Sequence, residues 1–285
     1  MKLFFEKQLP CIKQGYKFGI KIKKKIFSLK SKYQKIEVFD TYTFGRILVL
    51  DGIIQLSQKY EFIYHEMMTH LPLFCHSNPE RVLIIGGGDG GILREVLKHP
   101  IKKVFLVDID EKVFQISKKF LSFLRLKESL KDKRTKVLIT DGSEFIKKFK
   151  DFFDIVIVDS TDPIGPARSL FTEKFYKSVF ATLNENGIMI TQSGNWLDQI
   201  KEIKNIQKNL KAIFPFTKIH RAFVPDYQGS EFTFSLGSKR RLDYNLSEIS
   251  KRFKERLSKK SLKYYSPQIH FTSGVLPEFL KKKIV

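Results

Sequence analysis

The first sixty residues alternate between apolar and polar positions. In Tyr16-Lys-Phe-Gly-Ile-Lys-Ile-Lys an apolar residue faces a lysine at every second place, the period of a strand with one wet face, and Lys35-Ile-Glu-Val-Phe repeats it. Asp40-Thr-Tyr-Thr-Phe-Gly reads as a turn, and Arg46-Ile-Leu-Val-Leu leads into a tight Asp51-Gly52 turn followed by Ile-Ile-Gln. This predicts a small antiparallel sheet in an N-terminal β-rich domain, residues 1–60. Glu61 to Leu71 has helical character and is expected to stop at Pro72.

From residue 80 the pattern changes. Arg81-Val-Leu-Ile-Ile-Gly is a fully apolar strand that runs into glycines, with a helix from about Ile92 to His99. Further strands are expected at Lys103–Asp108, Lys136–Asp141, Asp154–Asp159 and Gly187–Gln192. Helices follow them near Glu111, near Ser143, over 173–183 and over Leu197–Ile213. Two last strands, near 217–224 and 231–236, have no helix between them. Strand-helix alternation means a parallel sheet covered on both faces. Five units and a closing hairpin predict an α/β fold, a seven-stranded methyltransferase-like Rossmann sheet in a catalytic domain spanning 61–285. Helical pieces at Ser247–Lys259 and Pro277–Lys282 end the chain.

Composition narrows the class. A chain of 285 residues buries a sizeable core. Its two cysteines, Cys11 and Cys75, predict neither a disulfide framework nor a metal cluster, and a reducing compartment fits. No stretch has the length of a membrane span and the first ten residues lack a signal-peptide run, so a cytoplasmic protein is expected. The formal charge of +22 invites a nucleic-acid reading. The excess, however, is mostly lysine spread along the chain beside abundant Phe and Ile, a pattern that AT-rich codon usage produces unaided, so nucleic acid is not expected as a partner.

The candidate chemistry is acidic. Gly86-Gly-Gly-Asp-Gly-Gly follows the first long strand and satisfies G-x-G-x-x-G through Gly86, Gly88 and Gly91, with Asp108 about twenty residues on. Alone, this is the fingerprint of several cofactor families. Asp89 separates them, because a carboxylate at this turn would oppose a pyrophosphate at a cost of several kcal/mol, on the order given by Coulomb's law in a poorly screened pocket. A sulfonium nucleoside carries no phosphate and suits Asp89; the alternative is that Asp89 only caps the next helix. Asp108 is placed to chelate ribose hydroxyls. Asp141-Gly142 suits an adenine edge, or helix capping equally well. Asp159 ends the fourth strand and Asp162 follows in a loop stiffened by Pro-Ile-Gly-Pro, either as site carboxylates or as turn formers. Histidine spacing supports no metal site.

Taken together, Arg81-Val-Leu-Ile-Ile-Gly-Gly-Gly-Asp-Gly-Gly, Asp159-Ser-Thr-Asp-Pro-Ile-Gly-Pro, Glu61-Phe-Ile-Tyr-His-Glu-Met, Ser31-Lys-Tyr-Gln and Tyr264-Tyr-Ser-Pro resemble the polyamine aminopropyltransferases, in particular the spermidine synthases. The resemblance runs from about residue 31 to the end. It implies transfer of the aminopropyl group of decarboxylated S-adenosylmethionine to putrescine, giving spermidine and 5′-methylthioadenosine, with Asp159 as base and no metal or other cofactor. By the same resemblance Gln34, Gly86, Gly88, Asp89, Asp108, Asp141, Gly142 and Pro166 contact the donor. Tyr64, His65, Asp89, Asp159, Asp162, Gln192 and Tyr227 line the amine groove. A homodimer or homotetramer built from the β-rich segment is implied. Arg168, Tyr60 and Asp226-Tyr227-Gln228 depart from the family pattern at the lid and acceptor end, which leaves cadaverine, spermidine or agmatine as alternative acceptors. A methyltransferase on the same sheet is the third reading, disfavoured by Asp89 and the Asp159/Asp162 pair.

Overall fold

The computed structural model describes residues 2–7, 15, 17–163, 165–228, 230–242, 245–257 and 262–284, with the side chains of Gly165 and Pro166 left out. Strands β1 (Leu3–Phe5), β2 (Gly19–Lys30), β3 (Lys35–Thr41), β4 (Arg46–Leu50) and β5 (Ile53–Ser57) form an antiparallel sheet in chain order. The β4–β5 connection has Asp51 at φ 48° and Gly52 at φ 87°, the left-handed pair that a two-residue hairpin turn requires.

Helix α1 (Glu61–Cys75) leads into the second unit. There follow β6 (Arg81–Gly86), α2 (Gly91–Val96), β7 (Lys103–Asp108), α3 (Glu111–Phe120), α4 (Leu126–Ser129), β8 (Thr135–Ile139), α5 (Gly142–Phe145) and β9 (Phe153–Asp159). A 3-10 stretch (Gly165–Phe171) precedes α6 (Glu173–Thr182), β10 (Leu183–Asn195), α7 (Ile200–Lys211), β11 (Phe216–Val224) and β12 (Ser230–Ser238). The seven strands pair in the order β11-β12-β10-β9-β6-β7-β8. β10, β9, β6, β7 and β8 run parallel, and β12 is antiparallel to both its neighbours. Alternate residues of the central strands feed two cores. Val82, Ile84, Ile155 and Ile157 pack under α1 and α2, while Leu83, Ile85, Val156 and Val158 pack with α6 and α7. Burial on both faces is why these strands read as unbroken apolar runs.

Two elements differ from the sequence expectation. α1 does not stop at Pro72 but continues one turn to Cys75, and His76 N–H reaches the Pro72 carbonyl at 3.1 Å. The turn Leu71-Pro-Leu-Phe-Cys is wholly buried, and that packing outweighs the hydrogen bond lost at the proline. The tail also holds a helix that was not expected, α9 (Pro267–Ser273), between α8 (Leu246–Leu257) and α10 (Glu278–Ile284). Its start follows a simple rule: the Ser266 hydroxyl accepts from Ile269 N–H at 3.2 Å, and Pro267 sits in the first turn. Glu66 ties this tail to α1 by accepting the N–H groups of Lys263, Tyr264 and Tyr265 at 2.8, 2.9 and 2.8 Å. Two of the quoted sequence motifs are thereby each other's partners.

Candidate active site

The site begins where β6 and β9 run side by side, with Gly86 opposite Asp159. Gly86 has φ 82°, and a Cβ there would lie 1.9 Å from the Asp159 carbonyl oxygen, so no other residue fits. Gly87 N–H donates to that same carbonyl at 3.0 Å. The glycine turn therefore folds against the end of β9 and brings Asp89 and Asp159 to one cleft. Gly88 N–H donates to Asp108 Oδ2 at 3.0 Å, and Asp110 N–H to Asp108 Oδ1 at 2.8 Å. Asp89 Oδ1 accepts from Gly91 N–H at 2.7 Å, which braces the glycine turn while the acid also lines the cleft; the N-cap of α2 is Gly90.

The cleft is a cavity of about 370 Å³ between the two sheets. Its wall contains Gln34, Tyr64, His65, Gly86, Gly88, Asp89, Asp108, Asp141, Gly142, Asp159, Asp162, Gln192 and Tyr227, so the four acids at 89, 108, 159 and 162 share one space. Pro166 lies outside the residues whose side chains are described. Asp141 Oδ1 accepts from Ser143 N–H at 2.7 Å, so this acid caps its helix from within the wall. Gln34 Nε2 donates at 3.0 Å to Asp110, which also accepts from the Ser31 hydroxyl at 2.6 Å. Asp162 accepts from Gln199 Nε2 at 2.8 Å, and Gln192 Nε2 donates to the Ser160 carbonyl at 3.3 Å. The Tyr227 phenol donates to the Gln55 carbonyl on β5 and so links the two sheets. The rings of Tyr64, Tyr227 and Phe232 pack edge to face.

Withdrawal from water dominates the electrostatics. Burial, reinforced by Asp89, pushes Asp159 up to about 7, although the Tyr64 phenol donates to its Oδ1 at 2.6 Å and His65 pulls the other way. Burial lifts Asp108 to about 6 against its two backbone donors. Asp162 is raised by burial, with Glu202 adding to the effect and Gln199 opposing it. His65 is raised despite burial because Asp89 and Glu61 flank it. An acid-lined cavity of this kind stabilises cations that carry their own hydrogen-bond donors.

The spermine/spermidine synthase domain family matches residues 61–248, and the spermidine synthase tetramerisation domain family matches residues 3–58. The chain belongs to the polyamine aminopropyltransferases. Among curated relatives, it is 46% identical over 269 residues to the polyamine aminopropyltransferase of Thermoanaerobacter sp. (strain X514), covering 94% of each chain. It is 44% identical over 275 residues to that of Bacillus subtilis (strain 168), covering 95% of this chain and 97% of the relative. A crystal structure of spermidine synthase in complex with the transition state analogue AdoDATO superposes with a TM-score of 0.91 at 35% identity, covering 99% of this chain and 94% of that one. Spermidine synthase from Thermotoga maritima gives 0.89 at 35% identity, covering 100% and 94%.

In this aminopropyltransferase several wall or support residues were not singled out from sequence. Glu6 lines the cavity from the short segment after β1; its Oε1 accepts from Ile54 N–H at 2.7 Å, and burial raises it to about 7. Asp110 holds Gln34, and Gln199 holds Asp162. Glu61 holds His65, and Arg94 holds Glu61. The Asp108-Ile-Asp110 spacing was a readable signal for one of them, since an Asp two residues past a strand end commonly caps the next helix, as Asp110 does for α3. Glu61 stands one helical turn from His65, a second local spacing, whereas Glu6, Gln199 and Arg94 depend on partners remote in sequence.

Proposed function

We propose that this enzyme transfers the aminopropyl group of decarboxylated S-adenosylmethionine to putrescine, with Asp159 as general base. The observation that carries the reading is the convergence of Asp89, Asp108, Asp159 and Asp162 on one cavity, beneath a glycine turn whose own acid would repel a phosphate. Gln34, Asp108, Asp141 and Gly142 hold the nucleoside. Asp89 takes the donor's ammonium and would repel the carboxylate of ordinary S-adenosylmethionine. Tyr64, His65, Asp162, Gln192 and Tyr227 line the path of the acceptor.

The acceptor nitrogen arrives protonated and must lose a proton as it attacks the carbon next to sulfur. Its lone pair forms the new C–N bond, the C–S pair leaves on sulfur, and the departing thioether is neutral. From an ammonium near 10, transfer to an ordinary carboxylate is uphill by roughly 8 kcal/mol, and to a carboxyl near 7 by roughly 4. The environment that raises Asp159 therefore makes it the better base, and the Tyr64 phenol fixes its direction. In-line placement of nitrogen, carbon and sulfur supplies most of the remaining acceleration. On the same reading the first sheet is an assembly surface for a homodimer or homotetramer, because its edge strand β1 shows Leu3 and Phe5 to solvent. A cytoplasmic setting goes with the reading and suits the buried Cys75 thiol, which lies 3.5 Å from His270 Nε2.

The deciding experiment supplies the decarboxylated donor with putrescine, cadaverine, spermidine or agmatine, and identifies products by mass spectrometry. Spermidine from putrescine is the expected main product. A larger yield from another amine would replace the acceptor, and methyl transfer instead of aminopropyl transfer would remove the donor assignment.

A further inference from the structure

His65 is held on three sides. Its ring lies over Gly91, where a Cβ would come within 2.2 Å of Cε1, so the last glycine of the fingerprint gives the imidazole its seat. Its Nδ1 stands 2.6 Å from Glu61 Oε2, one helical turn earlier on α1, and its Nε2 stands 3.4 Å from Asp89 Oδ1. Arg94 of α2 grips Glu61 with both terminal nitrogens, at 3.0 and 2.9 Å, and its Nε reaches Glu95 at 2.8 Å. The charged and titratable groups around the ring are Glu61 and Tyr64 on α1, Asp89 on the glycine turn, Arg94 on α2, Asp159 at the end of β9 and Asp226 between β11 and β12. His65 itself is 2% exposed.

An imidazolium gives each of these two carboxylates an N–H, whereas a neutral ring would turn a lone pair toward one of them. Arg94 keeps Glu61 ionised, so Nδ1 retains its proton in either state. The donor assigned above, on which this inference rests, brings an ammonium that needs Asp89. Two cations packed against one carboxylate in a cleft repel by several kcal/mol, on the order set by Coulomb's law.

We propose that Glu61 and Arg94 are positioning residues for His65, which pairs with Asp89 as an imidazolium before the donor binds and sheds its Nε2 proton when the donor's ammonium takes that place. The Nε2–H bond breaks, the electron pair stays on nitrogen and the proton goes to water. The bared Nε2 then accepts one of the three N–H bonds of the ammonium. The pairing of Glu61 with Nδ1–H selects the tautomer that makes this possible. 5′-Methylthioadenosine, which has no ammonium, leaves the imidazolium in place. Donor affinity falls about tenfold per pH unit below the His65 midpoint, because proton and donor compete.

The test is nitrogen NMR of the whole enzyme with isotope-labelled histidine. Six histidines give six pairs of ring-nitrogen signals, and His65→Asn identifies the pair that matters. Below the His65 midpoint, decarboxylated S-adenosylmethionine should convert this pair from imidazolium to the Nδ1–H neutral form, and 5′-methylthioadenosine should not. In Glu61→Gln the midpoint should fall by about one unit or more, with the two neutral tautomers mixed. Glu61→Asp, which keeps the charge, should restore part of the shift. A His65 that is already neutral at pH 7 before the donor arrives, or that keeps its charge when the donor binds below the midpoint, overturns the proposal even if the glutamine variant fails to fold. A wild-type midpoint in a folded Glu61→Gln overturns the role of Glu61. Product assayed in the same samples separates the two readings. Product with an unchanged His65 signal removes this inference alone, and absence of any aminopropylated amine removes the donor assignment and this inference with it.

Discussion

Asp159 carries two opposed demands on a single carboxyl group. Asp159→Asn keeps an oxygen for the Tyr64 phenol but cannot take a proton, so turnover should fall by roughly two to four orders of magnitude while 5′-methylthioadenosine binds nearly as before. Stopped assays and calorimetry read the two effects separately. In the wild type, kcat/KM for the amine should rise with pH through about 7, as the carboxylate form of the base becomes populated. Stability runs the other way. The carboxyl is raised on folding from 3.8 to about 7, so the folded chain binds this proton more tightly than the unfolded chain. Its effect on stability is absent below about pH 4, grows more unfavourable through the window between the two values, and is constant above it. Asp159→Asn should therefore melt a few degrees higher than the wild type at neutral pH, reflecting roughly 1–3 kcal/mol. A lower melting temperature in that variant would mean that the site does not strain this group. At this scale the acids were legible because strand ends in a parallel sheet meet at one crevice. Glu6, Gln199 and the Glu61–Arg94 pair were not, since each acts through a contact made only after folding; Arg94 and Glu61 are 33 residues apart.

Among the elements, the central strands of the second sheet were the easiest to read, because burial on both faces leaves an uninterrupted apolar run with few alternative explanations. Helix ends were harder. Pro72 carries a strong local stop signal, yet α1 continues because its last turn is packed on every side. Local propensity is worth a few kcal/mol at most, and a fully buried turn outweighs it. The tail shows the reverse case, where a Ser-Pro start signal at 266–267 was present and the helix behind it went unread. The Glu66 carboxylate gives this region its anchor. Glu66→Ala should leave three backbone N–H groups without their acceptor and cost roughly 3–5 kcal/mol, read as a lowered urea midpoint with an unchanged slope. A loss below about 1 kcal/mol would show that water replaces the carboxylate there.

The whole molecule is strongly basic, with a formal charge of +22, yet its cavity is lined by acids. Charges farther than about 10 Å are screened by salt, so the outer lysines and the inner carboxylates act over separate ranges. The charge total alone invited polyanions, a reading its scattered lysines discounted, while the carboxylates at the glycine turn and strand ends pointed to a cationic substrate. The two-sheet division was equally plain, from a period of two giving way to fully apolar runs near residue 80. The assembly reading is tested at this scale. Leu3→Lys together with Phe5→Lys places charge on the solvent side of β1, and sedimentation should then show a smaller species than the wild type at the same concentration. An unchanged sedimentation coefficient would move the interface elsewhere.

Glu6 enters the cavity one residue past the end of β1, whose Phe4 and Phe5 pair with Ile20 and Gly19. The same few residues thus border both the cavity and the outermost edge of the first sheet. A neighbouring subunit docked on that edge would brace the backbone from which this carboxylate reaches inward. Catalytic output per subunit should then decline on dilution, before any loss of folded structure, and recover when the protein is concentrated again.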